Sequence, residues 1–152
     1  MLGDPGGVDW HMRDGALLIG ETGWTGRGKI AVGYWRYTKR QEDIRRIGPD
    51  GLPARAMSQG GYLLVDQPAT SPQTAGPSIN VFMRVGLSDG ATTPFRGGWQ
   101  FGTLVGKVFA ARPDSQLSIG INRGNLSGRY RANSADAQLA LSRSETGFPV
   151  RT

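Results

Sequence analysis

The sequence predicts an all-β protein, folded as an antiparallel meander of short strands. Two observations indicate this fold class. Apolar and polar residues alternate with a period of two in several segments, and clusters rich in Gly, Pro, Ser and Asp separate those segments. The 24 glycines among 152 residues are more than twice the usual share of about 7%, while helix-favouring stretches are scarce.

The clearest strand is predicted over Ser78–Ser88, SINVFMRVGLS, where apolar residues occupy every second position. Because an unpaired buried charge is prohibitively costly, Arg84 must face water, a polar lumen or a carboxylate. The polar face of this strand also carries Asn80 and Phe82. The apolar face carries Ile79, Val81, Met83, Val85 and Leu87.

Six further segments alternate less regularly and are also predicted as strands. Short links between the strands contrast with long, polar and basic links over Lys39–Gln59 and Arg123–Ser134. Outer-membrane barrels have short turns on one side and long loops on the other, although a soluble sandwich also has loops of mixed length. The six segments are Ala16–Trp24, Ile30–Thr38, Gly61–Gln67, Trp99–Ala110, Gln116–Asn122 and Ala135–Arg143.

The stretch Gly23–Ile30, GWTGRGKI, matches most of a nucleotide-binding phosphate loop. That loop needs Ser or Thr after the lysine to bind Mg²⁺ and a helix behind it, whereas here Ile30 follows Lys29. The next residues are β-branched and aromatic types that prefer strands. We therefore interpret the stretch as a hairpin turn of flexible glycines.

Composition excludes several other classes of protein. The absence of cysteine rules out disulfides and thiolate metal sites, and His11 is the only histidine, so neither a zinc site nor a serine-histidine triad is expected. The formal net charge of +6 favours anionic partners, but no basic and aromatic array of a nucleic-acid-binding module is visible. No apolar run is long enough for a transmembrane helix, and the first residues lack the apolar segment of a signal peptide.

Several motifs, in this order, resemble the carbohydrate-selective porin family of bacterial outer membranes. They are GYLLVDQ at Gly61–Gln67, FMRVG at Phe82–Gly86 and a small-residue strand that leads into RPD at Arg112–Asp114. The segments GKIAVGYWRYT and DPGGVDWHMRDGALLIGE resemble the preceding part of that family, so the likeness covers most of the chain.

The resemblance implies that the chain is part of a transmembrane barrel of about sixteen strands in the outer membrane. Seven strands cannot form that wall, and the family's signal peptide and terminal aromatic residue are not found here. We therefore expect residues 1–152 to be a single, incomplete barrel segment. The implied function is passive diffusion of mono- or oligosaccharides, including acidic sugars, without enzyme activity, cofactor or metal. Outer-membrane lipid or lipopolysaccharide would surround the strands, and no nucleic-acid partner is expected.

In that interpretation, charged and aromatic residues of the strands line the channel, since arginine donors and carboxylate acceptors suit sugar hydroxyls. Arg84 and Asp66 are the best candidates, because each lies opposite an apolar stripe on its own strand. Arg36 and Glu21 share their faces with apolar neighbours and are weaker candidates. Asn80 and Phe82 complete the set. Pairing of arginines with carboxylates that never touch sugar is an alternative for each charged residue.

Two other classes of protein remain possible from the residues alone. A soluble β-sandwich or small barrel could bind carbohydrate or an anionic polymer, and it predicts that a second sheet covers the Ile79–Leu87 stripe. An enzyme on a β scaffold would need converging catalytic groups, such as two carboxyls about 5–10 Å apart, and no such pair is evident.

Overall fold

The chain forms one long antiparallel sheet, with a small hairpin and a helix at one of its ends. The structure is a computed structural model that describes residues 15–71, 76–109, 111–137 and 144–151. The elements in chain order are β1 (Leu17–Thr25), β2 (Lys29–Tyr37), β3 (Gln41–Ile47), β4 (Pro53–Ala56), β5 (Gln59–Pro68), β6 (Ser78–Ser88), β7 (Phe95–Gly106), β8 (Gln116–Leu126), α1 (Gly128–Asp136), β9 (Ser144–Gly147) and β10 (Val150–Arg151).

The long sheet has the order β1-β2-β5-β6-β7-β8, and every neighbouring pair is antiparallel. Both β9 and β10 pair with β8 and continue the sheet at its far edge. The predicted antiparallel meander is therefore confirmed. The glycine-rich stretch is also a hairpin as predicted, because Gly26, Arg27 and Gly28 join β1 to β2.

Three sequence-based expectations were wrong in detail. The segment Lys39–Gln59 is not a plain loop, since it contains the separate two-stranded sheet of β3 and β4. The segment Arg123–Ser134 contains the end of β8 and most of α1. The predicted strand Ala135–Arg143 begins inside α1, and residues 138–143 lie outside the described part.

The final strand of the sheet is instead formed by β9 and β10 together. Phe148 and Pro149 lie between these two short pieces. Proline cannot donate a ladder hydrogen bond, which explains the interruption. The carbonyl of Pro149 still accepts a hydrogen bond from the amide of Gly120 on β8, at 3.1 Å. The edge strand is thus paired with β8 on both sides of the interruption, through β9 and through β10.

The two ends of the sheet differ in the length of their connections. At the end that we call the turn end, residues 26–28, 69–77 and 107–115 connect successive strands. At the opposite end, which we call the loop end, lie the β3–β4 hairpin, the 89–94 turn and α1. The two long connections at the loop end give the predicted asymmetry, which is typical of outer-membrane barrels, whereas the 89–94 turn is as short as the links at the turn end.

The register divides the sheet into two faces, because residues paired across antiparallel strands lie on the same side. Glu21, Gly33, Tyr62 and Gly86 form one paired row across β1, β2, β5 and β6. We call this side the polar face and the opposite side the apolar face. The apolar face carries Leu18, Val32, Leu63, Val85, Trp99 and Ile119.

Neither face is covered by another layer in the described part of the chain. Ala31 is the one hydrophobic residue that is buried there, at 1% exposure. On the apolar face Leu18, Val32 and Ile119 are each more than half exposed, at 59%, 55% and 53%. The second sheet that a sandwich would place over the Ile79–Leu87 stripe is not found among these residues. An apolar surface of this extent requires a partner or a membrane.

The only described helix, α1, has nine residues. No helix in the described ranges is both long and apolar enough to span a bilayer.

Candidate functional site

The polar face brings together five of the six candidate residues. Glu21 lies on β1, Asp66 on β5, and Asn80, Phe82 and Arg84 on β6. The register places all five on one side, because Asp66 pairs with Phe82 and Glu21 belongs to the row of Tyr62. Strand alternation alone could not show this, since it relates residues only within one strand.

Arg84 and Asp66 form an ion pair between β6 and β5. The Arg84 Nη2 atom donates to Asp66 Oδ1 at 3.2 Å, and both side chains are about two-fifths exposed, at 43% and 42%. The Arg84 guanidinium also lies over the Phe82 ring, 4.9 Å from its centroid. The cation–π contact and the ion pair together hold the guanidinium against the polar face of the sheet. The pair remains accessible to a solute that approaches the polar face.

The Phe82 ring lies across the neighbouring strand, where Gly102 makes room for it. A Cβ atom on Gly102 would lie 2.7 Å from Phe82 Cζ, which is too close for a real contact. The residue paired with Phe82 on β7 is therefore required to be glycine for this ring position. The small residue leaves room for the ring over which the Arg84 guanidinium lies.

A second polar group lies on β1, β2 and β5. The Tyr62 hydroxyl donates to Glu21 Oε2 at 2.8 Å, across the whole width of β2. Lys29 Nζ lies 3.5 Å from Glu21 Oε1. Tyr62 can reach β1 only because Gly33 lies beneath its ring, where a Cβ atom would approach Tyr62 Cζ to 2.2 Å. Glu21 is thereby joined to two strands by hydrogen bonds.

Substitution of Gly33 by alanine is expected to displace Tyr62 and break its hydrogen bond to Glu21. Overpacked sites lose stability because neighbours must leave their preferred positions. Gly86 is the matched control, since it pairs with Tyr62 on the other side and a Cβ atom there would meet nothing within 4 Å. We expect Gly33→Ala to lower the unfolding temperature by several degrees and Gly86→Ala to leave it unchanged or higher. Equal unfolding temperatures for both variants would contradict the assigned role of Gly33.

Arg36 is the one candidate that the structure does not bring to this group. It pairs with Leu18 and Gln59, which places it on the apolar face near the loop end. This agrees with the sequence pattern, in which Arg36 shares its face with Ile30 and Val32. Lys29, Tyr62 and Gln100 lie on the polar face without having been selected as candidates. Only the pairing between strands identifies these three residues, and alternation within one strand does not predict that pairing.

At the loop end, the β3–β4 hairpin is attached to α1. The Asp43 carboxylate, with a side chain only 2% exposed, forms an ion pair with Arg129 of α1. The same carboxylate accepts hydrogen bonds from the amides of Arg45 and Arg46, at 3.0 Å each. Arg45 donates to Asp136 at 2.8 Å. We call these contacts the hairpin–helix junction.

The junction also includes backbone contacts. Asn133 on α1 donates from its side-chain amide to the carbonyl of Ile44, and the amide of Ile44 donates to the carbonyl of Ala91 at 2.9 Å. The hairpin is thus connected both to the helix that follows β8 and to the turn between β6 and β7. The hairpin, the helix and the 89–94 turn, which are far apart in the chain, are therefore connected to one another at the loop end.

No site for a metal ion is evident on either face of the sheet that the described residues form. Across the described ranges, no three side chains of His, Cys, Asp or Glu lie together in an arrangement that could hold a metal.

Comparison with known proteins supports the architecture. The model of the carbohydrate-selective porin, OprB family, matches residues 2–148. Among solved structures, the high-pH structure of Pseudomonas putida OprB is similar, with a TM-score of 0.75 and 19% sequence identity. That match covers 90% of this chain and 39% of the other, so the chain spans about two-fifths of the length of the structure it resembles. No curated protein matches the chain.

Proposed function

The chain belongs to the carbohydrate-selective porin, OprB family, and from this premise we propose that its sheet forms part of the wall of a passive sugar channel. Membership of this family places the chain in the bacterial outer membrane, as strands of a β-barrel. The process needs no covalent step, because a solute moves down its own gradient. Selectivity then depends on the width and the lining of the pore.

The contrast between the two faces is the observation that carries the proposal. The apolar face exposes large hydrophobic side chains, while the polar face carries the ion pairs of Arg84 and Glu21. In an outer-membrane barrel, an apolar face contacts lipid and a polar face lines the lumen. The long strands have 9 to 12 residues, close to the roughly 9–11 residues that a tilted membrane strand requires.

Arg84 and Asp66 are the residues proposed to contact sugar. A guanidinium presents several N–H donors in a fixed plane, and a carboxylate presents acceptors, so the pair complements the hydroxyl groups of a pyranose. Asn80 and Glu21 add further polar groups to the same face. The net charge of +6 favours sugars that carry a negative charge over neutral ones in this channel.

The experiment that tests this proposal measures block of single-channel current by sugar in planar bilayers, with the complete barrel of which this sheet is proposed to form part. We expect Arg84→Ala to weaken the block severalfold, because a sugar loses its donors at the wall. Arg36→Ala removes the same side chain from the apolar face and should leave the block unchanged. If both variants behave like the wild type, Arg84 pairs with Asp66 for structural reasons only. If the wild type carries no current, the channel function itself is wrong.

Outer-membrane lipid is the proposed partner of the apolar face. Arg36 and Arg123 both lie on this face close to the loop end, and Arg123 pairs with Trp99. Basic and aromatic side chains at the rim of an apolar band suit the polar headgroup region, where phosphates of lipopolysaccharide would be available. This position explains how Arg36 can share a face with lipid-facing residues without entering the hydrocarbon.

A further inference from the structure

A cavity of about 580 Å³ opens at the loop end, beside the last residue of β2. Its volume lies within the range of about 300–1,000 Å³ that is common for small-molecule sites. Tyr37 lines the cavity. It lies on the polar face, because Gly33, Trp35 and Tyr37 follow one another at every second position of β2 and Gly33 belongs to that face. The cavity therefore lies on the side of the sheet that faces the proposed lumen.

The lining of this cavity is predominantly cationic. Lys39, Arg40 and Arg55 line it, and Glu42 is the one carboxylate of the lining. Arg40 and Arg55 are exposed, and neither forms an ion pair with a residue that the structure describes. Unpaired guanidinium groups on the wall of a cavity are available to a ligand, and their planar donors match a carboxylate or a phosphate.

The remaining lining has the chemistry of a sugar site. The Tyr37 ring meets Trp35 edge to face, with centroids 6.2 Å apart, so packing limits the orientation of the ring. An aromatic ring offers an apolar surface for the C–H groups of a pyranose. Ser58 and Thr92 contribute hydroxyl groups and are joined by a hydrogen bond of 2.8 Å. Such groups can donate to or accept from the hydroxyls of a sugar.

The hairpin–helix junction holds the hairpin that forms one wall of the cavity. Glu42 on β3 and Arg55 on β4 are paired in the hairpin, and the neighbouring Asp43 is held by Arg129 of α1. A helix that follows β8 thus positions a wall of a site whose aromatic residue belongs to β2. Because long loops of outer-membrane barrels face the exterior, the loop end is where a solute would arrive.

We propose that this cavity is an entrance site that binds anionic monosaccharides, through Arg40 and Arg55 for the charged group and Tyr37 for the ring. The inference rests on the proposed function and specifies the class of sugar that this channel concentrates at its mouth.

The test is isothermal titration calorimetry on the intact protein in detergent micelles, with glucuronate, glucose and inorganic phosphate as probes. Glucuronate differs from glucose only at C6, where a carboxylate replaces the hydroxymethyl group, so their affinity ratio measures mainly the contribution of charge. We expect glucuronate to bind at least tenfold more tightly than either glucose or phosphate. Equal affinities for glucuronate and glucose would overturn the proposal. Phosphate that binds as tightly as glucuronate would show a simple anion site and would also overturn it.

Variants separate the contribution of the arginines, which bind the charged group, from that of Tyr37, which binds the sugar ring. The double variant Arg40→Gln and Arg55→Gln should abolish the preference for glucuronate, while Tyr37→Leu should weaken both sugars by a similar factor and leave phosphate unchanged. Arg112→Gln removes one exposed positive charge at the turn end and should keep the preference. The arginine variants should fold normally, because these side chains make no described ion pair. A preference that survives the double variant would contradict the assignment.

Conductance of the same preparation in planar bilayers separates this inference from the proposed function. A protein that conducts but shows no preference for glucuronate would keep the channel and overturn the entrance site. A protein that binds glucuronate but does not conduct would overturn the channel and, with it, the role of the cavity as an entrance.

Discussion

Replacement of Arg129 by glutamine is expected to detach the β3–β4 hairpin from α1. Arg129 is the cation paired with Asp43, whose carboxylate is almost fully buried, with 2% of its side chain exposed. Removal of one partner leaves a buried charge uncompensated, which typically costs about 3–5 kcal/mol. The hairpin should therefore open more than a hundred times as often, since each ~1.4 kcal/mol corresponds to a factor of ten.

Amide hydrogen exchange of the hairpin measures this opening directly. The amides of Arg45 and Arg46 donate to Asp43 and should lose their protection in Arg129→Gln. Asp136→Asn is the matched control, because its ion pair with Arg45 is exposed and such pairs contribute about 0–1 kcal/mol. Exchange in the central strands should not change in either variant. If both variants raise exchange in the hairpin equally, the buried pair is not what holds it.

Replacement of Leu63 by lysine is expected to destabilise the folded protein in lipid by about 2–4 kcal/mol, the range for a basic residue at the bilayer midplane on the lipid face. Leu63 lies near the middle of β5 and pairs with Val32 and Val85 on the apolar face. A lysine there must either enter the hydrocarbon or bend its side chain toward the headgroups. The measurement is a urea titration of the protein folded into phospholipid vesicles, followed by tryptophan fluorescence.

Leu64 provides a matched control, since it is the same residue type at nearly the same depth on the opposite face. It pairs with Ala31 and Arg84, and Asp66 lies two residues further along the same face of β5. Leu64→Lys should therefore cost about 1 kcal/mol or less, because the lysine remains in contact with water and the like charge of Arg84 opposite it costs at most roughly 1 kcal/mol. Equal losses for the two lysine variants would contradict the assignment of the faces to lipid and lumen.

The strands and their meander could be predicted from the sequence because strand formation follows local alternation. The Ser78–Ser88 segment was placed with the bounds that β6 has in the structure. The hairpin at Gly26–Gly28 followed from its glycines and from the residue types beside them. The bounds of the predicted strand Trp99–Ala110 and of the final strand were less accurate, because β7 spans Phe95–Gly106 and Pro149 interrupts the edge strand.

The structures of the two long loops were missed, although each left a signal. Pro49, Asp50 and Gly51 form a turn sequence, and Gly51 has the positive φ of 76° that such a turn favours. Ser127 is a typical N-cap, and its hydroxyl accepts from the amide of Tyr130 at 3.1 Å. Short charged segments of this kind are not stable alone, since isolated helices below roughly 12 residues are marginal in water. Their stability comes from the contacts between them.

The sequence by itself determined the all-β class, the family and the two-sided character of each strand, because these depend on residue type and on a period of two. Only the tertiary structure decided which charged residues meet. Glu21 and Arg36 both share their faces with apolar neighbours on their own strands, yet the register places Arg36 on the apolar face and brings Glu21 to Tyr62. Likewise, the junction of Asp43 with Arg129 joins segments that no local pattern relates. Pairing between strands is set by the whole sheet, and a shift by one residue would exchange the faces.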